Sequence, residues 1–457
     1  MRPVVMSRSM RIKGPARVRG SLKVPGDKSI SHRVAMLASI ASGPSQITGF
    51  ASNADCRATL DCIRKLGIRV EETGSVLMIH GEGLFGYRPA EPAVQSDAQA
   101  DVQLNAGNSG STIRMLSGLL AGQRFTSEIT GDASLCRRPM ARIIEPLSLM
   151  GARIEGTAGN FAPLTIHGRK LHAISYASPV ASAQVKTCVL LAGLLADGRT
   201  VFCEPALSRD HTEVMLREFG ALIDGSSLGT LSIEGLHQLT PLDYQVPGDV
   251  SSAAFFVAAA SILPGSELLL RDVSLNPTRT AFLDVLRDFG ASIATQNRRE
   301  QYGEAVGDIV VSSAQLRSEP RGTLLAGALI PNIIDEIPIL AIVATQVEGR
   351  VEVRDARELR IKESDRLRTV AYGIRTLGGE IEEFEDGFAI TGPQRLGGGR
   401  VETSGDHRIA MAFAIAGLIA EGSTEIIDAD CASVSFPEFY ESLAMLSGPH
   451  SVAPDLV

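Results

Sequence analysis

The feature that most constrains this chain is an internal repeat. An apolar, Ala-rich helix pattern, a glycine and a short alternating strand pattern recur six times, for example in "SHRVAMLASIASGPSQITGF", "AQVKTCVLLAGLLADGRTVFCEP" and "HRIAMAFAIAGLIAEGSTEIIDA". Repetition on this scale indicates that one supersecondary unit is built several times.

A second pattern follows each copy. It is a more polar helix that ends in an apolar residue and glycine before another strand, as in "KLGIRVEE", "EFGALIDG" and "TLGGEIEE". Glycine is the usual residue just after a helix, and alternating apolar residues predict a strand. The residues therefore predict six helix–strand–helix–strand units. The first helix of each unit is apolar nearly all round and should be buried, whereas the second is amphipathic and should lie outside.

One short phrase divides these units into two groups of three. "VPGDKSIS" occupies residues 24–31 and "VPGDVSSA" residues 246–253, before the first and the fourth unit. A chain of 457 residues also exceeds what one core usually organises. We therefore predict two pseudo-symmetric α/β domains with a cleft between them. Residues 1–26 together with 247–457 form the first, and 27–246 the second.

Composition narrows the class of protein. The formal net charge of -8 disfavours nucleic acid and anionic membrane surfaces as partners. The longest apolar run, "AAFFVAAASIL", is far shorter than the roughly 20 residues that span a bilayer. Six scattered cysteines without a CxxC pair predict reduced thiols, and the N-terminus lacks the apolar core of a signal peptide. We therefore expect a cytoplasmic protein that contacts neither membrane nor nucleic acid.

No pattern for a metal or an organic cofactor stands out. "GEGLFG" at 81–86 matches GxGxxG, but no helix pattern follows it, so a dinucleotide site is not expected there. No P-loop motif occurs, and neither His211 nor His407 lies in a metal-ligand cluster. The residues therefore indicate neither a metal site nor a dinucleotide site.

The chemistry gathers where the buried helices begin. Their starts read "GDKSISHR", "GNSGSTIR", "SAQVK", "GDVSS", "IDEIP" and "GDHRIA". Ser, Asp and Asn are common N-caps, and this alone explains the small polar residues. It does not explain cations in the first turns, where the helix dipole disfavours positive charge. Since helix N-termini bind phosphate and carboxylate, we predict an anion site with Lys28, Arg33, Arg114, Lys186 and Arg408.

The loops before the second helices add further charge. They read "DASLCRRPM", "LSRDHTE", "LNPTRT" and "LRIKESDR", and carboxylates among cations suit general acid–base catalysis. Neighbouring cations should keep these carboxylates ionised, so an acid role needs a proton that arrives with substrate. A solvated, salt-bridged helix start explains "RIKESDR" equally well. The cations of these loops are Arg138, Arg209, Arg279, Lys362 and Arg366. The carboxylates among them are Glu363 of the last loop and Asp335 and Glu336 of the helix start "IDEIP".

Taken together, these motifs resemble the 5-enolpyruvylshikimate-3-phosphate (EPSP) synthase family, from about residue 12 to "SFPEFYESL" near residue 442. The resemblance implies an inside-out α/β barrel fold, two domains of three βαβαββ units each, and an active site in the interdomain cleft. It implies transfer of the enolpyruvyl group of phosphoenolpyruvate to the 5-hydroxyl of shikimate 3-phosphate, with release of phosphate, by addition and elimination. It also implies no cofactor, and we expect a monomer.

The family's residue roles fall on matching positions. The resemblance implies Asp335 as the acceptor of the hydroxyl proton and Glu363 as the residue that handles protons at the enolpyruvyl carbon, while Glu336 keeps the base ambiguous. The implied ligands of shikimate 3-phosphate are Lys28, Ser29, Arg33, Ser182, Ala183, Gln184, Arg209, Asp335 and Lys362. The implied ligands of phosphoenolpyruvate are Lys28, Gly110, Arg138, Gln184, Arg366 and Arg408.

Two cues within the resemblance conflict. "GDKS", "SAQVK", "RDHTE" and "NPTRT" look like the class II branch, whose members tend to tolerate glyphosate. Gly110, however, leaves room for that inhibitor where tolerant members often carry alanine. The chain also has Val434 where many members carry lysine before "TFP". The contacts of phosphoenolpyruvate on that side are therefore open.

Two other functions fit parts of the pattern. The related enolpyruvyl transferase that acts on UDP-N-acetylglucosamine shares the fold, but it resembles "KN" where this chain has Lys28 and Ser29, and Cys136 lies too close to Arg138 for its loop cysteine. A six-unit clamp without catalysis would also be repetitive and acidic. A clamp would spread its cations along a pore and would not concentrate them at helix starts.

Overall fold

The computed structural model describes residues 9–89, 100–225 and 229–454. The prediction about an N-terminal leader falls largely on residues 1–8, outside these ranges. In chain order the strands are β1 (Met10–Gly14), β2 (Arg19–Leu22), β3 (Ser42–Thr48), β4 (Arg69–Thr73), β5 (Val76–Glu82), β6 (Val102–Asn105), β7 (Thr126–Thr130), β8 (Arg153–Thr157), β9 (Phe161–His167), β10 (Leu171–His172), β11 (Ser175–Ala177), β12 (Ala196–Asp197), β13 (Arg199–Cys203), β14 (Ile223–Gly225), β15 (Thr230–Glu234), β16 (Tyr244–Gln245), β17 (Glu267–Ser274), β18 (Ser292–Gln301), β19 (Glu304–Ser312), β20 (Thr323–Leu325), β21 (Gly349–Val353), β22 (Glu382–Phe384), β23 (Gly387–Gly392), β24 (Arg400–Glu402), β25 (Gly422–Ile427) and β26 (Val452–Pro454).

The helices alternate with these strands. Short 3-10 helices lie at Leu135–Arg137, Gly327–Leu329, Arg357–Ile361 and Ala429–Val434. The α-helices are α1 (Lys28–Ile40), α2 (Ala54–Lys65), α3 (Gly110–Ala121), α4 (Ala141–Leu149), α5 (Ala183–Leu195), α6 (His211–Glu218), α7 (Val250–Ile262), α8 (Ala281–Asp288), α9 (Ile330–Ile333), α10 (Ile337–Ala344), α11 (Arg366–Thr376), α12 (His407–Ile419) and α13 (Phe439–Ser447).

Each repeat unit builds a four-stranded sheet on one plan. In the sheet of order β6-β7-β9-β8, β6 runs parallel to β7, and β9 is antiparallel to both β7 and β8. The orders β16-β3-β5-β4, β11-β13-β15-β14 and β20-β21-β23-β22 repeat this plan. A parallel pair needs a crossover connection, which the buried helix supplies, whereas the antiparallel strands need only short turns. The unit is therefore βαβαββ.

The two VPGD phrases lie where strands are exchanged along the chain. β2 precedes α1 in sequence but pairs in parallel with β17, which follows α7. Conversely, β16 precedes α7 but pairs in parallel with β3, which follows α1. The backbone N–H of Asp27 donates to the carbonyl of Pro247 at 2.7 Å, and that of Asp249 donates to the carbonyl of Pro25 at 2.8 Å. The repeated phrase thus makes the same turn and the same backbone bond twice.

The chain divides into two compact units. Unit 1 contains the described residues up to Pro25, Gly248–Arg299 and those from Ala305 onward, whereas unit 2 contains Gly26–Pro247 and Glu300–Glu304. Each unit has its own hydrophobic core. No sequence pattern indicated that the turn between β18 and β19 groups with unit 2.

The first helix of each repeat lies in the core, as predicted. α1, α3 and α5 are almost wholly buried in unit 2, and α7, α10 and α12 are almost wholly buried in unit 1. α3 packs closely on α5, because Gly118 has no Cβ to overlap the carbonyl of Cys188. The second helices bury one face only, as in α8, where Phe282 is buried and Asp284 pairs outside with Arg287.

Among the described residues no single helix is long and apolar enough to cross a membrane. Two helical segments joined by a sharp bend, Gly327–Ile333 and Ile337–Ala344, reach that length and apolar composition only when they are counted together.

Candidate active site

The predicted anion-binding residues of unit 2 meet at the first turns of α1, α3 and α5. Hydrogen bonds join these turns: Arg33 of α1 donates to Thr187 of α5 at 2.9 Å, and Arg114 of α3 donates to Gln184 of α5 at 2.7 Å. The loop before α6 joins them, because Arg209 donates to the hydroxyl of Ser29 at 3.4 Å. We call the following residues the unit 2 cluster: Lys28, Ser29, Arg33, Gly110, Arg114, Arg138, Ser182, Ala183, Gln184 and Arg209.

Small polar residues cap these helices, as the alternative interpretation predicted. The Asp27 carboxylate accepts the N–H of Ile30 at 2.9 Å, and the Ser109 hydroxyl accepts the N–H of Thr112 at 3.0 Å. The first turns of α1, α3 and α5 contain no acidic residue. Capping and anion binding are therefore compatible, because the caps use the side-chain oxygens of Asp27 and Ser109 and do not involve the cations near the helix starts.

Lys28 and Arg33 are held differently. The Lys28 ammonium pairs with the Asp55 carboxylate and is partly exposed. Arg33 is 5% exposed and donates to the hydroxyl of Thr212 at 2.7 Å and to the carbonyl of Ser29 at 2.9 Å. Its guanidinium therefore fixes α1 against α5 and α6, which orients the first turn of α1.

Gly110 lies between two guanidinium groups. A Cβ at this position would be 2.9 Å from Nη1 of Arg114 and 3.5 Å from Nη1 of Arg138. Arg138 is held by the side-chain carbonyl of Asn108 at 2.6 Å. Gln184 accepts from Arg114 and donates to Ser111 at 3.1 Å. Arg114, which the family resemblance did not assign, therefore links the Gly110 loop to the start of α5.

Lys186 is not part of an anion site, and that prediction is wrong. Its side chain is 1% exposed and pairs with Glu204 at 2.9 Å and with Glu213 at 2.8 Å. It lies one turn into α5, where the helix enters the core, so its charge serves an internal network. Arg279 is likewise buried, and it donates to Asp249 at 3.2 Å.

The predicted acid–base residues of unit 1 meet around one arginine. Arg366, the first residue of α11, is 1% exposed and faces three carboxylates. The N–O distances are 2.8 Å to Asp406, 2.6 Å to Glu363 and 3.5 Å to Asp335. We call the following residues the unit 1 cluster: Asp335, Glu336, Lys362, Glu363, Arg366, Asp406 and Arg408.

Asp335 lies among three cations. Its carboxylate is 3.9 Å from Nζ of Lys362, 3.5 Å from Arg366 and 3.7 Å from Arg408. Arg408 also donates to the backbone carbonyl of Asp335 at 2.8 Å. The neighbouring Glu336 is 3% exposed and accepts from the hydroxyl of Ser251, so its carboxylate points into the core of unit 1.

Burial and charge oppose each other at Asp406. Desolvation favours its neutral form, but the charge and hydrogen bond of Arg366, together with His407, hold the pKa of Asp406 below its ordinary value of 3.8. Desolvation also opposes the charge of Arg366, yet the Asp406 carboxylate and its neighbours raise the pKa of Arg366 further. Both groups are therefore ionised at neutral pH.

The segment "RIKESDR" contains both a salt-bridged helix start and charged residues of the unit 1 cluster. Arg360 and Asp365 form a partly exposed pair at 2.8 Å, which is the expected salt-bridged helix start. Glu363 and Arg366 instead bond with each other and with the unit 1 cluster. Sequence spacing did not separate these two pairs, because burial distinguishes them. No group of three or more metal-ligating side chains occurs within the residues that the structure covers.

Two α/β units of βαβαββ sheets, with cations at the starts of buried helices, agree with the enolpyruvyl transferase fold that the resemblance implied. A model of the family EPSP synthase (3-phosphoshikimate 1-carboxyvinyltransferase) matches residues 12–443. The 3-phosphoshikimate 1-carboxyvinyltransferase of Synechococcus sp. (strain JA-3-3Ab) is 51% identical over 445 residues, covering 96% of this chain and 97% of the relative. That of Solibacter usitatus (strain Ellin6076) is 49% identical over 437 residues, covering 96% and 99%.

A solved structure supports the same assignment. The EPSP synthase from Acinetobacter baumannii superposes with a TM-score of 0.85 at 39% identity, covering 98% of this chain and 100% of that chain. The chain therefore belongs to the EPSP synthase family. The predicted fold class and the predicted transferase activity in the shikimate pathway are confirmed, and the UDP-N-acetylglucosamine alternative is not favoured.

Proposed function

We propose that the two clusters divide the work of transferring the enolpyruvyl group of phosphoenolpyruvate to the 5-hydroxyl of shikimate 3-phosphate. The supporting observation is their different chemistry. The unit 2 cluster combines cations, hydroxyls and an amide at helix N-termini, which suits phosphate and carboxylate groups. The unit 1 cluster interleaves carboxylates with cations, which suits proton transfer beside anionic substrates.

The proposed residue assignments are those that the resemblance to the family implies. Shikimate 3-phosphate binds to Lys28, Ser29, Arg33, Ser182, Ala183, Gln184, Arg209, Asp335 and Lys362. Phosphoenolpyruvate binds to Lys28, Gly110, Arg138, Gln184, Arg366 and Arg408. Arg114 supports the phosphoenolpyruvate ligands, because it holds Gln184 beside Gly110.

Asp335 is the better base of the two adjacent carboxylates. Its side chain is 16% exposed and faces Lys362 and Arg408. Glu336 is 4% exposed at its side chain, accepts from the hydroxyl of Ser251 and lies 3.5 Å from Arg408. A base must reach the substrate hydroxyl, which favours the more accessible carboxylate. We therefore assign the hydroxyl proton to Asp335.

Glu363 exchanges a proton with the enolpyruvyl carbon. In the addition step the substrate oxygen bonds to C2 of phosphoenolpyruvate, its proton moves to Asp335, and Glu363 gives a proton to C3. In the elimination step a C3 proton returns to Glu363, the double bond re-forms, the C–O bond to phosphate breaks, and the proton that Asp335 took up leaves with the phosphate. Glu363 accepts a 2.6 Å hydrogen bond from Arg366, so it must gain its proton when the substrate anions offset that cation.

Phosphate release tests the reaction directly. Purified protein should release phosphate only when phosphoenolpyruvate and shikimate 3-phosphate are both present. Release from phosphoenolpyruvate alone, or none at all, would contradict the proposal. Titrating glyphosate into the same assay compares the lack of a side chain at Gly110 with the class II signatures; inhibition at low concentration favours the Gly110 argument.

A clamp without catalysis is the alternative from another class. Isothermal titration with shikimate 3-phosphate should give heat for the enzyme and none for a clamp. We also propose a cytoplasmic monomer that contacts its two small substrates and neither membrane nor nucleic acid, in keeping with the net charge of -8. Light scattering after size-exclusion chromatography should return the mass of one chain; a dimer mass would contradict this.

A further inference from the structure

The buried network around Lys186 has no role in the reaction described above. The Lys186 ammonium contacts three oxygens: carboxylate oxygens of Glu204 and Glu213, and the carbonyl of Ser208 at 3.1 Å. An ammonium has three donors, so its hydrogen-bonding capacity is filled. Charged groups this deeply buried add little net stability compared with apolar packing, so their presence calls for another reason.

Glu204 closes the loop that follows β13. Its carboxylate accepts the N–H of Ser208 at 3.0 Å and the hydroxyl of Ser208 at 2.6 Å, in addition to the Lys186 ammonium. Residues 204–208 are therefore folded back on one side chain. Lys186 then ties both ends of this small loop to α5.

The next residue along the chain is Arg209. On its other side, the hydroxyl of Thr212 in α6 lies 2.6 Å from that of Thr187 in α5. Arg209 thus lies between two anchors on successive residues of α5, Lys186 before it and Thr187 after it. From this position its guanidinium reaches the hydroxyl of Ser29 at 3.4 Å.

We propose that Lys186 and Glu204 are positioning residues that hold the Arg209 loop against α5 and thereby set the affinity for the phosphate of shikimate 3-phosphate. This inference rests on the proposed function, which makes Arg209 a ligand of that substrate. Lys186 and Glu204 themselves touch no substrate. A charged tether suits the task because its geometry is specific, whereas apolar side chains would let the loop shift.

The decisive variant is the double change Lys186→Met with Glu204→Gln. It removes one charge of each sign, and a glutamine carbonyl can still accept from Ser208. Ser208→Ala is the milder variant, since it removes only the 2.6 Å hydroxyl bond to Glu204. Ser39→Ala is the control: it also removes a buried hydroxyl, but at the far end of α1.

Titration calorimetry and steady-state kinetics give the readout. We expect the double variant to bind shikimate 3-phosphate about tenfold or more weakly, and Ser208→Ala about threefold to tenfold, following the cost of a lost buried hydrogen bond. The KM for phosphoenolpyruvate and kcat at saturation should stay near wild type. The Ser39→Ala control should lose thermal stability without losing affinity.

Three outcomes would overturn the inference. Folded variants that bind shikimate 3-phosphate like wild type would show that the tether does not set affinity. Equal losses in both KM values and kcat would show a merely structural role. If the double variant does not fold, Ser208→Ala decides alone. Wild-type protein that gives no heat with shikimate 3-phosphate would instead refute the proposed function, and the inference would fall with it.

Discussion

Asp406 and Asp365 allow a matched comparison of a buried ion pair with a partly exposed one. Asp406 caps α12 by accepting the N–H of Arg408 at 2.9 Å and pairs with Arg366 at 2.8 Å. Asp365 caps α11 by accepting the N–H of Arg368 at 3.1 Å and pairs with Arg360 at 2.8 Å. Each residue is thus a helix cap and an arginine partner at once. The Arg366–Asp406 side chains are 1% and 0% exposed, whereas those of Arg360–Asp365 are 23% and 32% exposed.

Changing each aspartate to asparagine keeps the cap and removes the charge, because asparagine caps helices about as well as aspartate. Breaking a buried pair costs about 3–5 kcal/mol. Arg366 keeps Glu363 at 2.6 Å, so we expect the lower end, about 3 kcal/mol, for Asp406→Asn. A partly exposed pair contributes about 0–1 kcal/mol, which sets the expectation for Asp365→Asn.

Urea unfolding and thermal melts at neutral pH measure the difference. For a unit of this size about 3 kcal/mol corresponds to a fall in Tm of roughly 6–12 °C, against less than about 4 °C for the control. The pKa of Asp406 in the folded protein is held below 3.8. The contribution of Asp406 to stability is therefore complete above pH 3.8 and is lost as the pH falls through this lowered pKa. Equal destabilisation by the two variants would refute the argument from burial.

Three further predictions concern single carboxylates. Asp335→Asn and Glu363→Gln should each bind shikimate 3-phosphate within about threefold of wild type while kcat falls about 10²–10⁴-fold, because both serve proton transfer; parallel losses of affinity and rate would contradict these roles. At Glu213, burial raises the pKa above 4.5 despite the Lys186 charge, so the wild type should lose stability as the pH rises from 4.5 through this raised pKa. Glu213→Gln should flatten this slope in urea midpoints measured between about pH 5 and pH 8, and an unchanged slope would exclude Glu213 as its source.

Local patterns predicted much of the fold. The apolar helix followed by glycine and strand marks α1, α3, α5, α7, α10 and α12, and the glycine endings mark the second helices. These features depend on residues a few positions apart, so sequence spacing suffices to find them. Capping by small polar residues at these helix starts, which Asp27 and Ser109 provide, was predicted for the same reason.

Lys186 shows where spacing misleads. Its place near the start of α5 resembles that of Lys28 at the start of α1, so the pattern predicted the same role. Only the packed fold brings Glu204 and Glu213, 18 and 27 residues further along, onto its ammonium. Burial then converts a helix-start cation into an internal tether.

Asp335 and Glu336 could not be separated from the sequence either. They are adjacent, equally charged and placed before the same helix. The turn into α10 buries Glu336 against Ser251 and leaves Asp335 among Lys362, Arg366 and Arg408.

The sequence by itself determined the repeated unit, the helix starts that carry the charges and the family motifs. The tertiary structure decided which charges meet, which are desolvated and which strand completes which sheet, as in the exchange of β2 and β16. The reason is physical. Helix period, capping and turn chemistry act between neighbours in the chain, whereas ion pairing, desolvation and parallel strand pairing depend on residues that only folding brings together.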